Sequence, residues 1–104
     1  MVQESPMITV WGSVVAAEDR LDELLEISLE HVRRSRQEGG CVAHGVYVDV
    51  EDAARVVFFE KWADEESLRR HFAVPESGDF VRRASALALE APTIEIFASE
   101  SVAL

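Results

Sequence analysis

The spacing of apolar positions changes several times along the chain, and each change marks an element. Over residues 7–16, MITVWGSVVA, apolar side chains fill both alternating sets. Ile8, Val10, Gly12 and Val14 share one face; Met7, Thr9, Trp11, Ser13 and Val15 share the other. Successive strand residues point to opposite faces, so this segment reads as a strand covered on both sides. From about Asp19 to Gln37 the spacing turns helical, with Leu21, Leu24, Leu25, Ser28, Leu29 and Val32 on one stripe. His31 lies at the edge of that stripe and is expected at the surface. Glu18, Asp19, Asp22 and Glu23 crowd the helix start, and Arg33, Arg34 and Arg36 crowd its end. Both placements suit the helix dipole. Gly39-Gly40 stops the helix.

Residues 41–50, CVAHGVYVDV, return to a period of two, with Val42, His44, Val46, Val48 and Val50 on one face. Glu51-Asp52-Ala53 form a turn, and residues 54–63, ARVVFFEKWA, form the next strand. Val56, Phe58, Glu60 and Trp62 share one of its faces; Val57 and Phe59 share the other. A short turn between two strands predicts an antiparallel hairpin. Asp64 is a good N-cap with Ser67 at N3, opening a helix to about Phe72 with Leu68, His71 and Phe72 inward. Pro75 and Gly78 read as breakers. A further helix is expected from about Asp79 to Leu89, carrying Phe80, Val81, Ala84, Leu87 and Ala88. Pro92 precedes a last strand, TIEIFA, with Ile94 and Ile96 on one face and Phe97 on the other.

The order strand, helix, strand, strand, helix pair, strand is the ferredoxin-like βαββαβ order of an α+β fold. It predicts a four-stranded antiparallel sheet with helices on one face. Residues 1–6 read as a flexible start and 7–104 as one domain, the number that 104 residues can support. The bare sheet face is partly apolar, and a homodimer stacking two such faces would cover it. Charge narrows the partners. Twenty Asp and Glu against ten Lys and Arg give −10, which argues against nucleic acid and against an anionic membrane surface. No apolar run approaches the roughly 20 residues of a membrane span. The start MVQESPM lacks the basic and apolar regions of a signal peptide. One Cys excludes an internal disulfide or a multi-Cys metal site, and a reducing, cytoplasmic location is expected. No Gly-rich phosphate loop is present, so no nucleotide cofactor is indicated.

From Glu38 to Leu87 several residue groups recur at a joint spacing. Gly40-Cys41 opens the second strand and Glu60-Lys61-Trp62 closes the third. Asp64-Glu65-Glu66 starts a helix, and His71 lies nine residues after Trp62. This pattern resembles the antibiotic biosynthesis monooxygenase (ABM) family of dimeric α+β barrels. The resemblance implies a homodimer whose paired sheets form the barrel. It also implies oxidation of quinols or polyketide-derived phenols, often with no metal and no organic cofactor. The chain departs from the family in two places: His44 stands where many members carry Tyr, and Ser77-Gly78-Asp79-Phe80 where many carry Pro-His-Phe. Haem-degrading relatives use an Asn on the first strand, and this chain has no Asn at all.

An oxygenase without a cofactor needs a substrate that loses a proton, becomes an electron-rich anion and reduces dioxygen. Its protein supplies a dry pocket, a base and hydrogen bonds to the anion. Glu60, between Phe58 and Trp62, is the first candidate base, and burial is expected to raise its pKa. His71 and His44 are the other candidate acids or bases. Trp62, Phe58, Phe80 and Trp11 are the candidate substrate-binding walls, with Trp62 more often expected in the core and Trp11 equally able to serve a dimer core. The competing structural account has Glu60 paired with an Arg, such as Arg82 or Arg83, or with a histidine. Cys41 reads as a small core residue. A metal site from His44, His71 and Glu60 lacks local ligand spacing, so no metal is expected. The alternative function is a non-catalytic domain that binds a small ligand or acts as an accessory.

Overall fold

The computed structural model describes residues 6–104; the expected flexible start at 1–6 therefore lies, except for Pro6, outside the described residues. Strand β1 (Met7–Val15) leads into helix α1 (Leu21–Ser35), then strands β2 (Cys41–Val48) and β3 (Arg55–Trp62). Helices α2 (Glu65–Ala73) and α3 (Pro75–Ala86) follow, and β4 (Thr93–Ser99) ends the fold. The four strands form one antiparallel sheet in the order β2-β3-β1-β4. This is the ferredoxin-like α+β architecture that the element order predicts. No helix of the described residues is long and apolar enough to cross a membrane.

The helices cover one face of the sheet. Val10 pairs with Glu60 on β3 and with Ile96 on β4, so the even-numbered residues of all three strands share that face. Their cover stops short of β4, where Ile94 and Ile96 stay about half exposed. Two apolar clusters form beneath the helices. Val14, Leu24, Ile27, Val32, Val56, Phe58, Ala84 and Leu87 belong to one. Ile8, Val10, Trp62 and Leu68 make the other. Between them lies a band of buried polar side chains, described below.

Three local readings are corrected. On α1 the buried stripe is Leu24, Ile27, Ser28, His31, Val32 and Ser35, while Leu29 faces out. The helix packs on both β2 and α3, which turns the Ile27–His31–Ser35 ridge inward. The small side chains of Ser28 and Ser35 permit that approach. On β2 the register shifts between Cys41 and Ala43. This bulge leaves Val42 exposed rather than sharing the face of His44. Helix α3 begins at Pro75 and contains Gly78. Proline at the first helical position sacrifices no hydrogen bond, and it holds Val74 before it extended. The helix also ends sooner than expected. Ala17 donates to Leu87 O and Leu89 donates to Val15 O, both at 2.8 Å, and these bonds draw residues 87–89 onto the end of β1.

The junction of β2 with α2 is tight. Gly40 has φ 84°, a conformation that side-chain-bearing residues rarely adopt, and a Cβ there would collide with the Ser67 side chain. Its carbonyl accepts from Ala63 N at 2.8 Å. Asp64 caps α2 by accepting from Ser67 N at 2.8 Å and from Ser67 Oγ at 2.7 Å. These two donors favour the charged form and hold the Asp64 carboxyl below the usual aspartate value of 3.8. A depressed folded-state pKa stabilises the fold above that value, and the contribution is lost as pH falls through the folded-state pKa. Asp64→Ala is therefore expected to lower the melting temperature at pH 7 by about 4–8 °C. The gap to the parent protein should narrow below pH 3.8, as followed by circular dichroism. A gap that does not change with pH would detach the cap's contribution from the charge.

Candidate functional site

The helix-facing side of β3 carries Phe58, Glu60 and Trp62, all buried. Glu60 is only 7% exposed, so its carboxylate must be solvated by protein groups. Trp62 Nε1 donates to Glu60 Oε1 at 2.9 Å. His44, directly opposite on β2, brings Nε2 to 3.2 Å from the same oxygen. The two groups stand at ion-pair distance, although among the described residues neither His44 ring nitrogen has a hydrogen bond of good geometry. His71 of α2 places Nε2 at 4.0 Å. Burial pushes the Glu60 carboxyl up, but the contacts with His44, Trp62 and His71 together pull it further down. The carboxyl therefore lies below the ordinary glutamate value, against the expected rise.

A second chain of contacts supports His71. Its Nδ1 lies 3.0 and 3.1 Å from the two Glu38 oxygens. Arg34 Nη1 donates to Glu38 Oε2 at 2.8 Å, and Arg34 Nη2 donates to His31 Nδ1 at 3.1 Å and to Ser77 Oγ at 3.2 Å. Burial lowers the His71 pKa by more than Glu38 raises it. In the neutral ring the proton sits on Nδ1, because a carboxylate can only accept, and Nε2 keeps a lone pair. His31 is pushed down to about 3, first by burial and then by its neighbouring imidazoles and Arg34. It stacks on Phe80 with centroids 4.1 Å apart and planes 6° off parallel.

A cavity of about 350 Å³ opens against this polar band. Phe58, Phe72 and Phe80 wall it, Ile94 and Thr93 of β4 border it, and Glu60, His31 and His71 form its polar end. Phe58 and Phe80 thus stand where the sequence reading puts substrate-binding walls, and Glu60 and His71 stand beside them. Two expected wall residues are elsewhere. Trp62 is fully buried with Ile8, Val10 and Leu68, behind Glu60 rather than lining the cavity. Trp11 is 47% exposed on the opposite sheet face and packs edge-on to Phe59 at 6.5 Å, because its parity on β1 is opposite to that of Val10. His44 is also behind the lining, against Glu60. Arg82 and Arg83 do not reach Glu60; Arg82 pairs with Asp79.

The sequence reading placed His31 at the surface, yet it is 7% exposed and central. Its spacing of four from both Ile27 and Ser35 carries the signal, since that row forms a ridge on a helix. Glu38 and Arg34 were missed because nothing local marks a helix-end carboxylate as the partner of a residue 33 positions away. Cys41 is half-buried, and its thiol is raised by burial and by the nearby Glu60 and Glu38 carboxylates.

The antibiotic biosynthesis monooxygenase family model matches residues 7–83. An uncharacterized protein of Synechocystis sp. is 29% identical over 90 residues. That match covers 86% of this chain, which spans 61% of the length of that relative. A solved conserved protein of Methanosarcina mazei Go1 is similar in fold, with a TM-score of 0.87 at 21% identity over 91% of this chain and 94% of that one. A crystal structure of an antibiotic biosynthesis monooxygenase has a TM-score of 0.83 at 26% identity over 90% of this chain and 99% of that one.

Trp62 joins the second apolar cluster to the carboxylate. Trp62→Ala removes a fully buried indole and the donor to Glu60 together, and is expected to cost about 3–5 kcal/mol. Urea unfolding measures this, and a midpoint unchanged from the parent would place the side chain outside the core.

Proposed function

The chain belongs to the antibiotic biosynthesis monooxygenase family, and on that premise we propose that it is a cofactor-independent monooxygenase of a small aromatic or quinol-type substrate. The observation that carries the reading is the Glu38–His71 pair, which keeps the ring proton on Nδ1 and leaves Nε2 unprotonated on a residue that lines an aromatic cavity. A base held by a third group in this way is the arrangement that general-base catalysis uses. The substrate would lie in the cavity against the Phe58, Phe72 and Phe80 rings and give a proton to His71 Nε2. Glu38 would hold the ring, and the Glu60 charge, 4.0 Å away, would stabilise the imidazolium formed. The substrate anion would then pass electrons to dioxygen. At a methylene carbon one oxygen atom ends as the new carbonyl and the other leaves as water, so the substrate supplies all the electrons. The apolar walls keep bulk water from quenching the anion.

A second reading, a domain that binds such a ligand without converting it, is favoured by the lowered pKa of both Glu60 and His71, which makes each a weaker base than the free side chain. Oxygen uptake with a panel of quinols and anthrones separates the two readings. His71→Gln is expected to slow uptake by about 10²–10⁴-fold. Glu60→Gln should chiefly lower stability, by roughly 1–3 kcal/mol. No uptake with any member of the panel, alongside measurable ligand binding, would favour the binding domain. Full uptake by His71→Gln would remove the histidine from the chemistry.

Assembly belongs to the same proposal. Trp11 and Phe97 are each 47% exposed on the sheet face away from the helices, and Phe59 and Val57 lie between strands on that face. A face of this kind is covered when two copies stack sheet on sheet, and obligate interfaces of that sort bury roughly 2,000 Å² or more. Light scattering is expected to give twice the chain mass at micromolar concentration, with Trp11→Glu shifting the protein towards monomer. A monomer mass at every concentration would sink the stacked-sheet dimer.

A further inference from the structure

Three histidines converge at the inner end of the cavity from three separate elements: His31 from α1 and His71 from α2 in its lining, and His44 from β2 behind it. One ring nitrogen of each lies within 4.8 Å of those of the other two, and all three side chains are buried. Stacking accounts for only one of them, His31 on Phe80. His44 is 4% exposed, and among the described residues both of its ring nitrogens are without a directed hydrogen bond. A buried polar side chain in that condition is costly and calls for a partner.

We propose that His31, His44 and His71 bind a single divalent transition-metal ion, of the zinc, nickel or copper kind, at the inner end of the cavity. Imidazole nitrogen suits these ions, and three histidines with a fourth position left to water or ligand is the pattern of catalytic zinc sites. Bonds of about 2.0–2.1 Å put the nitrogens of one tetrahedral site roughly 3.3 Å apart, so the rings must close by at most about 1.5 Å. Ring rotation supplies a movement of that size.

The surroundings favour a dication. Glu38 accepts from His71 Nδ1, the carboxylate–histidine arrangement that fixes a ligating ring with its other nitrogen towards the metal. Glu60 Oε1 lies 3.2 Å from His44 Nε2 and 4.0 Å from His71 Nε2, so a second carboxylate is close at hand. One group must give way. Arg34 donates to His31 Nδ1, which leaves the ring proton on Nε2. Ligation through Nε2 moves that proton to Nδ1 and turns Arg34 to its other partners, Glu38 and Ser77. Water or a substrate oxygen from the cavity that His31 and His71 line would take the fourth position.

The metal and the oxidation reading compete for the His71 Nε2 lone pair, since Glu38 holds Nδ1. A chain that binds the ion there does not use that nitrogen as the base, and metal binding and oxygen uptake are read out separately. Calorimetric titration of the full chain with Zn²⁺ in non-chelating buffer is expected to show one ion per chain, reversed by EDTA. Glu38→Gln should weaken binding by about 10–100-fold, and His44→Gln and His71→Gln should abolish it. Co²⁺ gives an optical reading on the unaltered chain that does not depend on any variant folding. A tetrahedral nitrogen site gives intense visible absorption. Failure of the parent protein to bind Zn²⁺ one-to-one, a Co²⁺ spectrum of the weak octahedral kind, or unchanged Zn²⁺ affinity in His71→Gln would each overturn the assignment.

Discussion

A carboxylate shut away from water has to be solvated by the protein, and the burial of Glu60 imposes that demand on much of this structure. Its position on β3 is set by the strand's period, between Phe58 and Trp62 and facing the helices. Had the neighbours been wholly apolar, the group would have lost its charge. Instead the indole of Trp62 donates to it, and His44 and His71 approach the same oxygen. Those three side chains come from β3, β2 and α2, so solvating one oxygen fixes how three elements meet. The core is divided as a result: apolar clusters lie on either side of a polar band, and the cavity opens where that band meets α3.

Polarity at the centre of a small domain has an energetic cost, and the contacts around the band offset it in layers. Glu60 is solvated by rings, and His71 is solvated by Glu38. Glu38 is in turn solvated by Arg34, whose remaining donors reach His31 and Ser77. From His71 outward exposure rises, to 18% at Glu38 and 26% at Arg34, so charge is handed from the interior to the surface. Loss of an inner member strands its neighbour without a partner, whereas loss of an outer one lets water replace it.

Much of the fold was legible in the sequence because strands announce themselves locally. Val56, Phe58, Glu60 and Trp62 alternate without interruption, and the same parity places Val10 and Val14 beside them. Legibility failed where a long-range choice decided the outcome. Helix α1 offered two adjacent apolar rows, and packing on β2 and α3 selected the one containing His31. The bulge at Val42 carries no local mark, and neither does the pairing of Glu38 with His71. Pro75 was misread because proline ends a helix and starts one with equal ease, and only its setting decides which. Of the candidate site, Glu60, His71, Phe58 and Phe80 were readable from parity and residue type. Trp62 took the core place that the sequence left open for it, and Trp11 the opposite sheet face, because aromatic character alone says nothing about which wall a ring belongs to.

The junction at Gly40 has a consequence for how this sequence can change over time. Two residues 27 positions apart in the chain occupy one small volume: position 40 without a Cβ, and position 67 with a hydroxyl that also closes the Asp64 cap. Enlarging the first is blocked unless the second shrinks, and shrinking the second costs the cap its hydroxyl donor and leaves only the Ser67 N–H. The two sites therefore form a ratchet. Single substitutions at either are disfavoured in the presence of the other's native residue, and exchange passes through coordinated replacements that leave α2 capped through the backbone N–H alone. That restriction falls on the segment that carries Glu38 and on the helix that carries His71. Neutral drift around the paired carboxylate and imidazole is slowed by steric bookkeeping at a point that touches neither of them.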